Sequence, residues 1–578
     1  MLLRENASEE KLKGRYYTQR ELAMYITSWV VNNNDIKIQK VLEPSCGDGI
    51  FLECIDELGL KDTCEIISLE IDRVEAIKAS NRVKDSMLFE DYDKYNFYRA
   101  NTNIECLKYE KGIKVICDDF YKVYQECLSK SKFQAIVGNP PYIRYQYLNE
   151  LQREEQSLIL TNNGMKSNKL INAWVSFVVA CTHMMDENSR MGLVIPAELL
   201  QVKYAEALRK FLMSSLQKIT IITFEELVFE GVEQEVVLLL GEKDINHNQN
   251  HKLRIVQYAN VKELIEGRDL EQHEFFDADL NESKWTKYFL KESDIELIDN
   301  VRNDSRFVQF NKMAKIEVGI TTGNNDYFCI NRNQVEQYSL GKVCRPLIAR
   351  SVNINGIIFT RQDWLENVQM GTKTYLIDFP NIDFNDYDEK HKEYIKLGED
   401  TDQNVGYKCK IRDRWYIVPS VRVSDGFFLR RNYLYPKFIL NSNEINAVST
   451  DTMHRVTFKD KKVSKRILLS YYNSIGLAFT EIEGRSYGGG VLEILPSEVG
   501  SIILPDLRCD NLIDDKTVDE LIKLIDTYVR SNNDILGILD EIDKKVLVEI
   551  LGLSMDMVLQ FREIWINLRS RRLNRGKS

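Results

Sequence analysis

The apolar run 133–137 (Phe-Gln-Ala-Ile-Val), followed by Gly138 and then Asn139-Pro140-Pro141-Tyr142, constrains this chain more than any other stretch. A short apolar run of this kind predicts a buried strand. The tetrapeptide then lies at its carboxyl end, where open α/β sheets hold their ligands. The two prolines fix φ at successive positions and remove two N–H donors. The carbonyls of Asn139 and Pro140 are then offered as acceptors beside the Asn139 amide oxygen, which suits an exocyclic amino group. A plain Pro-Pro turn is the bland alternative, and the segments around the tetrapeptide argue against it.

Upstream, residues 41–52 read as a strand, a glycine turn and the start of a helix, with Glu43, Ser45, Cys46 and Gly47 in the turn region. Glycines let a backbone approach a ligand closely, and a helix N-terminus favours negative charge. Residues 64–69 predict a second strand ending at Glu70, about 20 residues after the turn, where a carboxylate can accept both hydroxyls of a ribose. A third strand over 113–117 ends in Asp118-Asp119-Phe120. It offers a carboxylate for an adenine amino group and an aromatic wall for its ring. The less favoured bland readings are a surface carboxylate at a strand end for Glu70 and a helix N-cap for Asp119.

The order of these elements resembles the gamma class of DNA amino-methyltransferases of the type II restriction-modification kind. Residues 14–19 (Gly-Arg-Tyr-Tyr-Thr-Gln) resemble that family's N-terminal cofactor motif, with Gln19 in place of its usual proline. Residues 191–196 resemble another family strand. Residues 223–229, followed by the apolar run 236–240, resemble the segment that supplies an aromatic partner for the target base. The resemblance covers about 14–241. It implies an α/β fold: a doubly wound, Rossmann-like class I S-adenosylmethionine-dependent methyltransferase domain, with a mixed α+β target-recognition domain and a helical tail after it. It implies S-adenosylmethionine as cofactor, held by Thr18, Glu43, Ser45, Gly47, Glu70, Ile71, Asp119 and Phe120. The implied reaction is methyl transfer to N6 of an adenine flipped out of double-stranded DNA. Asn139 and Pro140 then supply acceptors, Tyr142 and Phe229 stack on the base, and Pro141 touches DNA. The same tetrapeptide also serves glutamine and RNA methyltransferases, and a non-catalytic DNA-binding subunit is a third reading. The large C-terminal region favours DNA, and the intact motifs favour catalysis.

A chain of 578 residues with 44% hydrophobic residues predicts two or three domains. The expected boundaries are 1–245 for catalysis, 246–510 for a connector and target recognition, and 511–578 for a helical region. Within these, 172–185 predicts a core helix, and Thr517 with Glu520 has the spacing of a capping box. The chain shows neither a long apolar span nor a signal peptide, which predicts a cytoplasmic protein without membrane contact. Eleven cysteines without a Cys-x-x-Cys pair read as reduced thiols. His247 and His251 stand among Asn and Gln residues, and no metal is expected.

A net charge of −11 disfavours indiscriminate nucleic-acid binding but permits a local basic face. Between 406 and 437 eight basic residues face two acidic ones, with aromatics interleaved. Lys408, Lys410, Arg412, Arg414, Arg430 and Arg431 are the expected DNA contacts. The arginines of the last helix, Arg569, Arg571, Arg572 and Arg575, read either as phosphate contacts or as complements to a helix C-terminus. Monomer and dimer both stay open. A cognate endonuclease would share the DNA site without forming a stable complex.

Overall fold

The computed structural model describes residues 16–32, 37–101, 110–229, 235–244, 251–267, 270–277, 284–509 and 511–574. The chain forms two compact units that divide at Glu292.

The first unit is built on a ten-stranded sheet. Its strands are β1 (Lys40–Glu43), β2 (Glu65–Leu69), β3 (Met87–Phe89), β4 (Gly112–Ile116), β5 (Phe133–Gly138), β6 (Met185–Pro196), β7 (Lys218–Phe224), β8 (Val236–Lys243), β9 (Lys252–Tyr258) and β10 (Phe276–Asp277). They lie in the order β10-β9-β7-β8-β6-β5-β1-β2-β4-β3. β1 pairs in parallel with both β2 and β5, and β8 runs antiparallel between β6 and β7. The chain therefore winds outward from β1 through β2 to β3 at the edge, inserts β4 between β2 and β3, then returns to β5 on the other side of β1. This is the expected doubly wound architecture, and its switch point falls between β1 and β5.

Burial on both faces explains why these strands are nearly all apolar. Val41, Ile66, Val115, Val137 and Val194 join one core with Leu22, Ile26 and Val30 of helix α1 (Arg20–Val31), Phe51 and Leu52 of α2 (Ile50–Glu57), and Ala76 and Ala79 of α3 (Arg73–Arg82). The alternate residues Leu42, Ile136 and Ile195 are fully buried outside that cluster, so the other face is covered too. The helices α4 (Phe120–Glu126), α5 (Glu150–Asn162) and α6 (Ala173–Met184) complete the set used below. The expected core helix is α6, and all of its residues but His183 are buried. Each such leucine-sized side chain stabilises the fold by about 2 kcal/mol.

The boundary expected at 245 lies inside this unit. β9 pairs with β7 from Lys218–Lys252 to Phe224–Tyr258, because its apolar residues extend the same sheet.

The second unit, Ser293–Lys577, is mixed α+β as expected. A five-stranded sheet orders its strands as Ala314–Val318, Met453–Phe458, Gly426–Leu429, Phe438–Asn441 and Ile358–Phe359. The region 511–578 is not separate from this body. Arg572 on the last helix, Met555–Asn574, is 1% exposed and donates to Glu481 at 2.7 and 3.0 Å. Arg569 pairs with Asp534. Internal ion pairs, the Arg572–Glu481 one fully buried, engage these two arginines, while Arg575 lies outside the described residues. The expected Thr517–Glu520 box is also replaced. Asp514 caps the helix Asp515–Arg530, accepting from the Thr517 N–H at 2.9 Å, because aspartate precedes the first helical residue.

Among the described residues no helix is long and apolar enough to cross a membrane, no group of His, Cys, Asp and Glu could hold a metal ion, and the cysteines are free thiols. His251 is described and its ring meets the Leu216 carbonyl, whereas His247 lies outside the described residues.

Candidate active site

A cavity of about 440 Å³ opens at the carboxyl ends of β1, β2, β4 and β5, a size suited to a small-molecule pocket. The register of β1 on β5, Val41 to Ala135 and Leu42 to Ile136, brings the glycine turn and Asn139 side by side. Ser45 Oγ donates to the Asn139 carbonyl at 3.3 Å, so that carbonyl is not the free acceptor that the sequence led us to expect. Among the described hydrogen bonds none takes the Pro140 carbonyl. Pro140 itself is buried, and Pro141 lines the cavity.

The turn needs its glycines. Gly47 has φ +53° and Gly49 φ +87°, and a Cβ on Gly49 would stand 2.6 Å from the Ala79 backbone of α3. This close approach presents the Gly47 N–H to Glu70 Oε2 at 3.0 Å, while Oε1 accepts from the Asp72 N–H at 2.8 Å. Glu70 is thereby fixed at the carboxyl end of β2, where it lines the cavity. Asp119 serves two purposes as well. Oδ1 accepts from the Tyr121 N–H at 2.8 Å, capping α4, and Oδ2 accepts from Gln152 Nε2 at 2.7 Å. The cap reading and the cavity reading of Asp119 therefore coexist.

Thr18, Ser45, Gly47, Glu70, Ile71, Asp119 and Phe120 line the cavity. Glu43 does not. It is completely buried beneath the turn, and burial first, then the nearby Asp48 and Glu70 charges, hold its carboxyl well above the usual carboxylate range. Phe120 stacks on Phe177 of α6 with centroids 4.2 Å apart and planes 20° apart, and both line the cavity. Phe177, Gln152 and Tyr147 were not anticipated from sequence. Phe177 sits in a helix apolar on every side, which gives no pattern by which to single it out.

Asn139 stands where the cavity meets the N-terminal segment. Its Nδ2 donates to the Tyr16 carbonyl at 2.7 Å and to Thr18 Oγ1 at 3.2 Å. Both amide hydrogens are thereby used, and Oδ1 is left as the acceptor. Gln19, where the family usually has proline, donates its Nε2 to the Val228 carbonyl at 3.1 Å. The segment is thus tied to the loop that carries Phe229. Tyr142 donates its hydroxyl to the Val194 carbonyl at 3.1 Å, which fixes its ring, and burial raises its pKa well above the ordinary value. Phe229 is 5% exposed, and neither it nor Tyr142 lines the cofactor-sized cavity.

In the second unit the six expected DNA contacts separate into two groups. Arg412 donates to the Thr322 and Thr321 carbonyls at 2.7 and 3.1 Å and to the Trp415 carbonyl at 3.2 Å. Arg414 donates to Asn381 Oδ1 at 2.9 Å, and Arg430 Nε to Glu493 at 2.8 Å. These guanidinium groups hold the fold together. Lys408, Lys410 and Arg431 are exposed, with Arg431 3.5 Å from Glu493. Tyr407, beside Lys408, is 74% exposed.

Residues 54–229 match the Eco57I restriction-modification methylase family, and residues 282–547 match the C-terminal domain of type II methyltransferase M.Eco57I. Over 549 residues the chain is 25% identical to the type II methyltransferase M.AccI of Acinetobacter calcoaceticus, covering 92% of each. It is 22% identical over 575 residues to M.HindII of Haemophilus influenzae, covering 94% of this chain and 98% of that one. Among solved structures, the type IIL restriction-modification enzyme MmeI in complex with DNA superposes with a TM-score of 0.57 at 12% identity, over 98% of this chain and 80% of that one. At that identity the likeness is one of fold.

Proposed function

We propose that this chain, which belongs to the type II restriction-modification methyltransferases, methylates the N6 amino group of an adenine flipped out of duplex DNA, with S-adenosylmethionine as methyl donor. The observation that carries the reading is the tethered amide of Asn139. With both Nδ2 hydrogens held by Tyr16 and Thr18, its oxygen stands at the rim of the nucleoside-sized cavity.

The residues present fit the cofactor. Glu70 meets the ribose hydroxyls, Asp119 and the Phe120–Phe177 wall meet the adenine, and Thr18 and Ser45 border the end nearest Asn139. When bound, the cofactor supplies an electrophilic methyl group on a positively charged sulfur.

Adenine N6 is a poor nucleophile because its lone pair is delocalised into the ring, and in a duplex it is also paired and stacked. Extrusion of the base costs a few kcal/mol, offset by stacking on Tyr142 and Phe229. Asn139 Oδ1 and the Pro140 carbonyl accept the two N6 hydrogens and favour a pyramidal nitrogen as positive charge develops there. Fixed dipoles of this kind stabilise a transition state without reorganising. An amide oxygen does not hold a proton at neutral pH, so Asn139 acts by hydrogen bonding and the proton departs to water. Lys408, Lys410 and Arg431 are proposed to meet the phosphates, and the role is protection of host DNA alongside an endonuclease of the same site.

The test is transfer of labelled methyl from S-adenosylmethionine to duplex DNA, with the product nucleoside identified. N6-methyladenine at a fixed sequence is expected. Label only in RNA or in a protein glutamine overturns the DNA assignment, and N4-methylcytosine overturns the choice of base.

A further inference from the structure

The two rings assigned to the target base do not enclose an empty slot. Tyr16 packs on Tyr142 with centroids 5.1 Å apart and planes 34° apart, and on Phe229 at 5.6 Å and 21°. One ring thus touches both, stacked on Phe229 and tilted against Tyr142, beside Asn139. We infer that Tyr16 is a placeholder for the target base: its ring holds the stacking position until the extruded adenine displaces it. This rests on the base-flipping reading above.

Three observations carry it. The Tyr16 ring is in contact with both Tyr142 and Phe229, so it occupies aromatic surface that a stacked base would need. Tyr16 is only half-buried and borders the cavity, so the ring is not locked on every side by packing. Finally, the backbone beneath the ring is anchored separately. The Tyr16 carbonyl accepts from Asn139, and Gln19 donates to Val228, three residues along the same segment. Rotation about the Tyr16 Cα–Cβ bond therefore empties the slot while the Asn139 amide keeps its orientation. The exchange swaps two aromatic stacks for two others, so it is nearly balanced and reversible.

A placeholder that must be vacated lowers the fraction of enzyme ready to accept a base, and apparent affinity falls by that fraction. In methyl-transfer assays on duplex carrying the mapped site, Tyr16→Ala is expected to lower KM for DNA, with kcat/KM rising roughly 3- to 10-fold. A fall in kcat/KM, with S-adenosylmethionine affinity retained, would make Tyr16 a permanent wall of the pocket and overturn the inference. Tyr16→Trp provides a second readout. Its emission should shift to the red, and become more open to acrylamide, with duplex carrying the target adenine but not with the same duplex abasic at that position. Equal shifts with both duplexes, or none with the first, also overturn it. Failure of the underlying reading looks different: wild-type enzyme then forms no N6-methyladenine at all.

Discussion

At the residue scale the site depends on side chains whose polar atoms are already committed. Asn139 is held by two partners through Nδ2, so its remaining acceptor has one direction. Asn139→Ala should lower kcat by at least about 100-fold, the range found when one preorganised polar group is lost, while leaving S-adenosylmethionine binding measurable by calorimetry. Loss of cofactor binding instead would move Asn139 from the base to the cofactor. Glu43 has a different consequence. Its folded pKa is raised by burial, so the folded protein keeps a proton that the unfolded chain releases. Stability is full below the ordinary carboxylate range and falls as pH rises toward the folded value. Glu43→Gln should therefore gain on wild type in Tm as pH is raised from the ordinary carboxylate range through neutrality. Parallel melting curves across that range would mean that the carboxyl finds a compensating partner.

At the element scale, what matters is which ends of strands meet. β1 and β5 are neighbours, so the turn after one and the tetrapeptide after the other share a cavity although they are far apart in sequence. The basic stretch 406–437 behaves differently, because its local order does not say which cations are spent internally. Lys408→Ala and Lys410→Ala should each reduce the salt dependence of DNA binding by about one unit of log–log slope without lowering Tm. Arg412→Ala should instead cost about 1.5–3 kcal/mol of stability, since three backbone carbonyls lose a charged donor. Unfolding titrations beside binding isotherms distinguish the two. If Arg412→Ala melts like wild type but loses DNA, its guanidinium reads DNA after all.

At the scale of the whole molecule the boundary is set by pairing. A chain ending at Glu292 should fold and bind S-adenosylmethionine. One ending at 245 lacks β9, leaves β7 with an open edge, and should aggregate. Size-exclusion chromatography of the two truncations decides this, and equal behaviour would mean that β9 is dispensable. Much of the catalytic unit was legible in the sequence, because the strands that border the cavity are largely apolar runs followed by residues of distinctive chemistry. The expected core helix 172–185 corresponds to α6, and the strands expected over 64–69 and 113–117 to β2 and β4. Strand β3 was missed because Met87–Phe89 is too short to show a period. The limit at 245 was misplaced because a polar stretch resembles a linker whether or not a strand rejoins the sheet beyond it.

By itself the sequence determined which chemistry the chain carries. Apolar runs, glycines that need positive φ, and a Pro-Pro corner with an amide beside it are local constraints, readable because each acts within a few bonds. Only the tertiary structure decided which of those groups remain available. Glu43 is buried and not lining, the Asn139 carbonyl is already bonded, three of the six candidate DNA cations are held by the protein's own groups, and the Tyr16 ring packs on both Tyr142 and Phe229. The reason is physical: a hydrogen bond or a stack is spent by whichever partner packing brings within reach, and that partner is set by contacts remote in the chain.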